Sequence, residues 1–237
     1  MASEDGPMIL PDRLFVGVPV RRGETPPAPH AEAGADWTDL PGATEIRAEI
    51  GRDATLSIIA PHVLTHRRTD ARYKAMKEPP PEHAAVGHFD RSRWTDEAWE
   101  RTDSLARKID AQAAVFQTPP SFKASAEHAT RLENFVAHAM RPGLALVWEW
   151  AKGSWPDRKA IELCQEIGAI PVIDPTQTAI PDGEFVYLRL RGGASGRAVL
   201  KDDDLKKIVL ATRDRVGWVI FCNKTAVADA ARLTQML

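Results

Sequence analysis

A chain of 237 residues is long enough to bury a full core, and its 31 basic and 33 acidic side chains leave a formal net charge of -2. That balance excludes a global field able to recruit nucleic acid or an anionic membrane, so any such binding must be local. Cys164 and Cys222 make neither a disulfide framework nor a metal site, and read as small buried apolar residues in a reducing compartment. No signal-type N-terminus is present and no apolar run approaches the ~20 residues of a membrane span, so the expectation is a cytoplasmic protein without membrane contact.

Residues 1–12 are acidic and proline-containing and read as a loose arm. Residues 13–237 read as one (β/α) domain. The first strand is expected over Arg13 to Val18. From Pro19 to Gly42 the chain carries Pro26, Pro27, Pro29 and Pro41 among small residues, which supports neither a regular helix nor a central strand. A long loop anchored by Trp37 is the expectation there. Thr44 to Gly51 offers an N-cap, good helix formers, Ile46 and Ile50 one turn apart and a terminal glycine, so a short helix is the better reading and a strand the other. Leu56 to Ala60 is a buried strand closed by Pro61.

Residues 67–92, broken by Pro79, Pro80 and Pro81, predict an irregular excursion. Ala98, Thr102, Leu105 and Ile109 then mark an amphipathic helix. It feeds the strand Val115-Phe116-Gln117, which two prolines stop. Leu132 to Ala139 is helical, Leu144 to Trp150 a strand, Asp157 to Ile167 a helix and Ile170 to Asp174 a strand. The beat continues with a strand over Phe185 to Leu190, a helix over Asp202 to Arg213, a strand over Trp218 to Asn223 and a closing helix from Ala226. Such alternation means parallel pairing through right-handed crossovers. Seven strands are legible where a closed barrel needs eight. The expected fold is therefore an α/β, TIM-type (β/α) barrel with a degraded first quarter, incomplete or irregular at its second strand.

Several segments also carry a resemblance: Leu64-Thr65-His66, Gln117-Thr118-Pro119-Pro120-Ser121-Phe122, Glu149 with Ser154-Trp155, Val186-Tyr187-Leu188-Arg189-Leu190-Arg191-Gly192, and Phe221-Cys222-Asn223-Lys224. From about Leu56 to the C-terminus their order resembles the YecE-like family, the domain of unknown function numbered 72. The resemblance implies a TIM barrel and no established reaction; a relation in shape to metal-dependent nucleic-acid phosphoesterases and sugar isomerases is analogy only. Departures from the family pattern are specific. The opening Gly-x-Ser-Gly-Trp turn is Gly17-Val18-Pro19-Val20, and the Glu-x-Asn-x-x-Phe-Tyr strand has no visible counterpart. A third-strand lysine is Ile59, the histidine after the Leu-Arg-Leu strand is Arg191, and an Arg-His pair is Ala151-Lys152.

Polar groups at strand ends converge on one mouth in this fold. Gln117 either binds a ligand there or bonds the backbone of the Pro-Pro turn. Glu149, on the opposite face from Trp148 and Trp150, needs a partner inside a barrel, and Arg189 or Arg191 would serve. His66 is either a general acid or base or a loop histidine bonding a carbonyl, and Asp174 before Pro175 is equally a turn residue. After the seventh strand comes Gly192-Gly193-Ala194-Ser195-Gly196-Arg197 and after the eighth Asn223-Lys224, where this fold often holds phosphate.

Donors thus outnumber carboxylates at the strand ends, which favours an anion over a bare metal. The reading is a small phosphate-bearing or anionic ligand held by Gln117, Arg189, Arg191, Gly192, Gly193, Asn223 and Lys224. His66, Glu149 and Asp174 are the groups able to do chemistry. No resident cofactor is expected. Metal-assisted phosphoester hydrolysis, with nucleic acid as a less favoured partner, is the first alternative. A degenerate binding or scaffold protein is the second, since a missing second-strand carboxylate, Ile59 and Arg191 all remove proton-transfer groups. Oligomeric state has no signature in the sequence.

Overall fold

The computed structural model describes residues 12–20, 28–34, 43–51, 54–76, 78–192 and 199–237. Eight parallel strands close in sequence order: β1 (Leu14–Val20), β2 (His30–Gly34), β3 (Thr55–Ile59), β4 (Ala111–Gln117), β5 (Ala145–Glu149), β6 (Ile170–Ile173), β7 (Phe185–Leu190) and β8 (Val216–Phe221). Helices α1 (Ala43–Ile50), α2 (His62–Thr65), α3 (Arg93–Lys108), α4 (Ala126–Ala139), α5 (Asp157–Ile167), α6 (Asp202–Thr212) and α7 (Ala226–Met236) lie between and after them. This is the expected TIM-type barrel, and the seven legible strands fall where their patterns put them. Among the described residues no helix is long and apolar enough to cross a membrane.

The second strand corrects the expectation of an incomplete barrel. β2 is His30-Ala31-Glu32-Ala33-Gly34, paired in regular register with Gly17 to Val20 on one side and Thr55 to Ile59 on the other. Its pattern escaped notice because its outward residues are two alanines and its inward ones are polar, the reverse of a strand's usual apolar signature. Ala31 and Ala33 pack under α1, whose Ile46 and Ile50 are buried in the same cluster. β1 can approach β2 only because residue 17 is glycine: a Cβ there would lie 2.6 Å from the His30 carbonyl oxygen. Trp37, the arm up to residue 11 and most of the proline-rich loop lie outside the described residues.

Local signals set the helix ends. Ser92 caps α3 and exchanges bonds with Thr95, Ser125 caps α4, and Gly168 ends α5 with φ 75°. The excursion over 67–92 contains one short 3₁₀ turn, Ala71–Ala75, capped by Asp70.

Two layers of packing result from strand alternation. Outward residues meet the helices: Phe116 of β4 is in ring contact with Phe89, with Trp99 of α3 and with Phe135 of α4. Inward residues fill the barrel with Phe15, Val115, Val147, Val172, Trp218 and Ile220. Towards the strand C-termini this apolar filling gives way to charged and polar side chains. The change defines the candidate site.

Candidate functional site

Tyr187 and Arg189 of β7, with Arg191 just beyond it, share the inward face because strand alternation has period two. Glu149 ends β5 and faces them, with Trp148 turned outward into the helix layer as expected. Arg189 donates through Nη1 to Glu149 Oε2 and through Nη2 to Glu32 Oε1 at 2.6 Å. Gln117 Nε2 donates to Glu149 Oε2 at 2.7 Å, so its amide serves a carboxylate rather than the Pro-Pro backbone. Arg191 gives both Nε and Nη2 to the other oxygen, Glu149 Oε1. Two guanidiniums therefore balance two carboxylates in this network.

Burial would raise the Glu149 carboxyl, but Arg189 and Arg191 outweigh it and hold the group below the usual carboxylate range. Glu32 behaves differently. It is wholly enclosed, and burial pushes its carboxyl up despite Arg189 and a bond from Tyr187. The two carboxylates on one guanidinium are thus driven apart. Arg189 itself is held charged, because Glu32 and Glu149 together offset its burial.

Below Glu32 a file of side chains continues into the lumen. Tyr187 Oη donates to Glu32 Oε2 at 2.7 Å and lies 2.9 Å from Ser57 Oγ. His30 Nε2 lies 3.1 Å from Ser57 Oγ, and its Nδ1 lies 2.7 Å from Thr55 Oγ1. Burial lowers the His30 imidazole to about 3, so it is neutral at ordinary pH. Burial lifts the Tyr187 phenol well above its normal range, with Glu32 adding to the effect.

The remaining sequence candidates sit apart from this network. His66 follows α2, with Nδ1 2.8 Å from Thr65 Oγ1, and burial assisted by Arg72 lowers it to about 4. Asp174 accepts from Thr176 N, Thr176 Oγ1 and Gln177 Nε2, the bonds of a turn residue. Asn223 is buried and donates to Thr225 Oγ1 and Asp229 Oδ2 at the start of α7. Lys224 is exposed at the end of β8. Gly192 is buried with φ 69°, whereas Gly193 and the rest of the glycine-rich loop to residue 198 lie outside the described residues.

The donor excess counted from the strand ends consequently shrinks. Glu32 supplies the second-strand carboxylate that seemed lost, and Arg189 is committed to Glu32 and Glu149. Sequence reading missed Glu32 and His30 because β2 was missed, and Ser57, although on the expected third strand, had no partner in view without them. Tyr187 was in view, two positions before Arg189 and hence on its face.

A divalent ion is poorly served by these groups. Among the described residues no three His, Cys, Asp or Glu side chains gather as ligands, and Glu149 and Asp174 are already engaged as described.

The pattern that defines "Protein of unknown function DUF72" matches residues 47–237. The chain belongs to this family. Its barrel is similar to that of a DUF72 family protein from Thermotoga maritima MSB8, with 15% identity, TM-score 0.64, and coverage of 94% of this chain and 98% of that one. A DUF72 family protein from Enterococcus faecalis V583 gives 11% identity and TM-score 0.64, covering 94% and 95%. An AP endonuclease, family 2, from Brucella melitensis gives 10% identity and TM-score 0.55, covering 90% and 93%. At such identities the likeness concerns the fold. No curated protein matches the chain. Within DUF72 terms, the matched region begins inside α1, so β2 and Glu32 lie ahead of it.

Proposed function

We propose that the C-terminal mouth of the barrel binds a small anionic ligand, phosphate-bearing or carboxylate, through Arg191. The observation that carries this reading is the asymmetry around Glu149. Its Oε2 is held by Gln117 and Arg189 deep in the barrel, whereas among the described residues its Oε1 accepts from Arg191 alone, whose side chain is 48% exposed. Arg191 places two nitrogens on a single oxygen, leaving the two-oxygen geometry that a guanidinium fork prefers unmet. A phosphate or carboxylate can meet that preference, and Glu149 keeps two donors when Arg191 turns to the ligand. Exposed Lys224 at the adjacent strand end adds a second cation.

Binding is measured by thermal shift and calorimetry with inorganic phosphate, phosphosugars and nucleotides. At a hundredfold excess over Kd a ligand stabilises the folded state by about 2.7 kcal/mol, a rise in Tm of several degrees. Arg191→Ala is expected to abolish that rise. Absence of stabilisation by every compound in the wild-type protein overturns the reading.

The likeness to an AP endonuclease raises metal-assisted phosphoester hydrolysis, but the carboxylates at this mouth are committed to arginines and to a turn. Stoichiometric divalent metal in purified protein, with cleavage of abasic DNA, would establish that alternative instead.

A further inference from the structure

Glu32, Tyr187, Ser57, His30 and Thr55 form an unbroken hydrogen-bonded file from the centre of the barrel to the N-terminal end of β3. Every member between Glu32 and Thr55 can both donate and accept, so the file has two consistent polarities. With Glu32 ionised, Tyr187 donates to Glu32, Ser57 to Tyr187, His30 Nε2–H to Ser57, and Thr55 to His30 Nδ1. With Glu32 protonated, every bond runs the other way: Glu32 donates to Tyr187, Tyr187 to Ser57, Ser57 to His30 Nε2, and His30 Nδ1–H to Thr55. Thr55 then turns its own proton to the Pro29 carbonyl, 3.3 Å away. Passing from the first state to the second needs one proton from solvent at Thr55. Each of the four others crosses its own hydrogen bond to the next acceptor, the last arriving on Glu32 Oε2.

What selects the polarity is the charge above. The groups facing Glu32 are Arg189 and Tyr187 of β7, Ser57 of β3, His30 on its own strand, and, within electrostatic reach, Glu149, Arg191 and Cys222. Glu32 and Glu149 share Arg189, and Arg191 supplies the second positive charge. Drawing Arg191 away leaves two carboxylates on one guanidinium, and in an enclosed site like charges so placed do not both stay ionised. Glu149 retains Arg189 and Gln117 at the wet mouth, whereas Glu32 has no contact with solvent.

We propose that Glu32 is a proton-binding site coupled to the mouth: capture of an anion by Arg191 is accompanied by uptake of one proton on Glu32 and by a change of the His30 tautomer from Nε2–H to Nδ1–H. The anion half rests on the function proposed above; the proton half does not.

Long-range ¹⁵N–¹H spectra of the histidine rings at neutral pH test it on the full chain, with His30 assigned by its loss in His30→Gln. The wild-type ring should carry its proton on Nε2. Glu32→Gln, whose amide can only donate to Tyr187 while its oxygen accepts from Arg189, should move it to Nδ1. Arg191→Met should do the same, and reversion to Nε2 in the double variant Arg191→Met with Glu149→Gln should follow, because one carboxylate then faces one guanidinium. A wild-type ring already on Nδ1, or an Arg191→Met ring still on Nε2, overturns the inference. Titration of inorganic phosphate into wild type then separates the two halves. A shift towards Nδ1 with occupancy supports both, and a switch in Arg191→Met with no phosphate binding keeps the proton site while removing phosphate as the anion.

Discussion

Glu32 and Arg189 stand 157 residues apart in sequence and meet across the barrel lumen at 2.6 Å, both almost fully buried. Two strands separated in the barrel by β1 and β8 are thereby tied by one guanidinium, which also reaches Glu149 on a third. Such a pair is weak evidence for stability gained, because desolvating both charges offsets their attraction. It is strong evidence for dependence once the pair exists.

Arg189→Met should therefore destabilise the protein by roughly 3–5 kcal/mol, since two buried carboxylates lose their shared partner. Adding Glu32→Gln should recover part of that loss by removing one uncompensated charge. Urea denaturation of the four members of the cycle measures the coupling. Additive effects would mean that the two side chains do not interact in solution.

Gly17→Ala tests the β1–β2 seam. The new methyl would meet the His30 carbonyl oxygen at 2.6 Å and the His30 ring Cδ2 at 2.9 Å, and a backbone atom cannot yield as a flexible side chain can. A loss of about 1–3 kcal/mol is expected, as for other overpacked sites. A variant as stable as the wild type would contradict the register of Gly17 opposite His30.

That seam also shows where sequence reasoning stopped. Strands β3 to β8 announce themselves through apolar runs bounded by Pro, Gly or a polar terminal residue, as Val115-Phe116-Gln117 does before its two prolines. β2 has no such run. Its inward side chains, His30 and Glu32, are polar because the lumen at that level is a hydrogen-bonded file, and its outward ones are alanines because α1 packs closely on them. Pairing of Glu149 with the arginines was legible from alternation alone. The commitment of Arg189 to a second carboxylate was not, because that carboxylate sits on the unseen strand. Asp174 and Asn223 reveal their bonding, a turn for the first and side chains at the start of α7 for the second, only through neighbours a few residues on, Thr176 and Asp229.

Acid should weaken the fold through its buried histidines, and His66 isolates the effect. Its folded-state value is lowered to about 4 by burial and by Arg72, against about 6.5 in an unfolded chain. The unfolded state therefore binds a proton on this ring at a pH where the folded state does not. The stabilisation associated with neutral His66 is fully present above pH ~6.5 and is lost progressively as pH falls towards 4. Glu32, whose folded value is raised, acts with the opposite sign: its contribution is greatest at low pH and declines as pH rises. A single-protein profile sums the two, so the measurement is a difference. Urea midpoints of wild type and His66→Asn, taken from pH 7.5 to 4.5, should converge as pH falls, with a slope in the difference approaching ~1.4 kcal/mol per unit below pH 6. A pH-independent difference would show that His66 titrates alike in the folded and unfolded chain, and that its burial against Thr65 does not persist in solution.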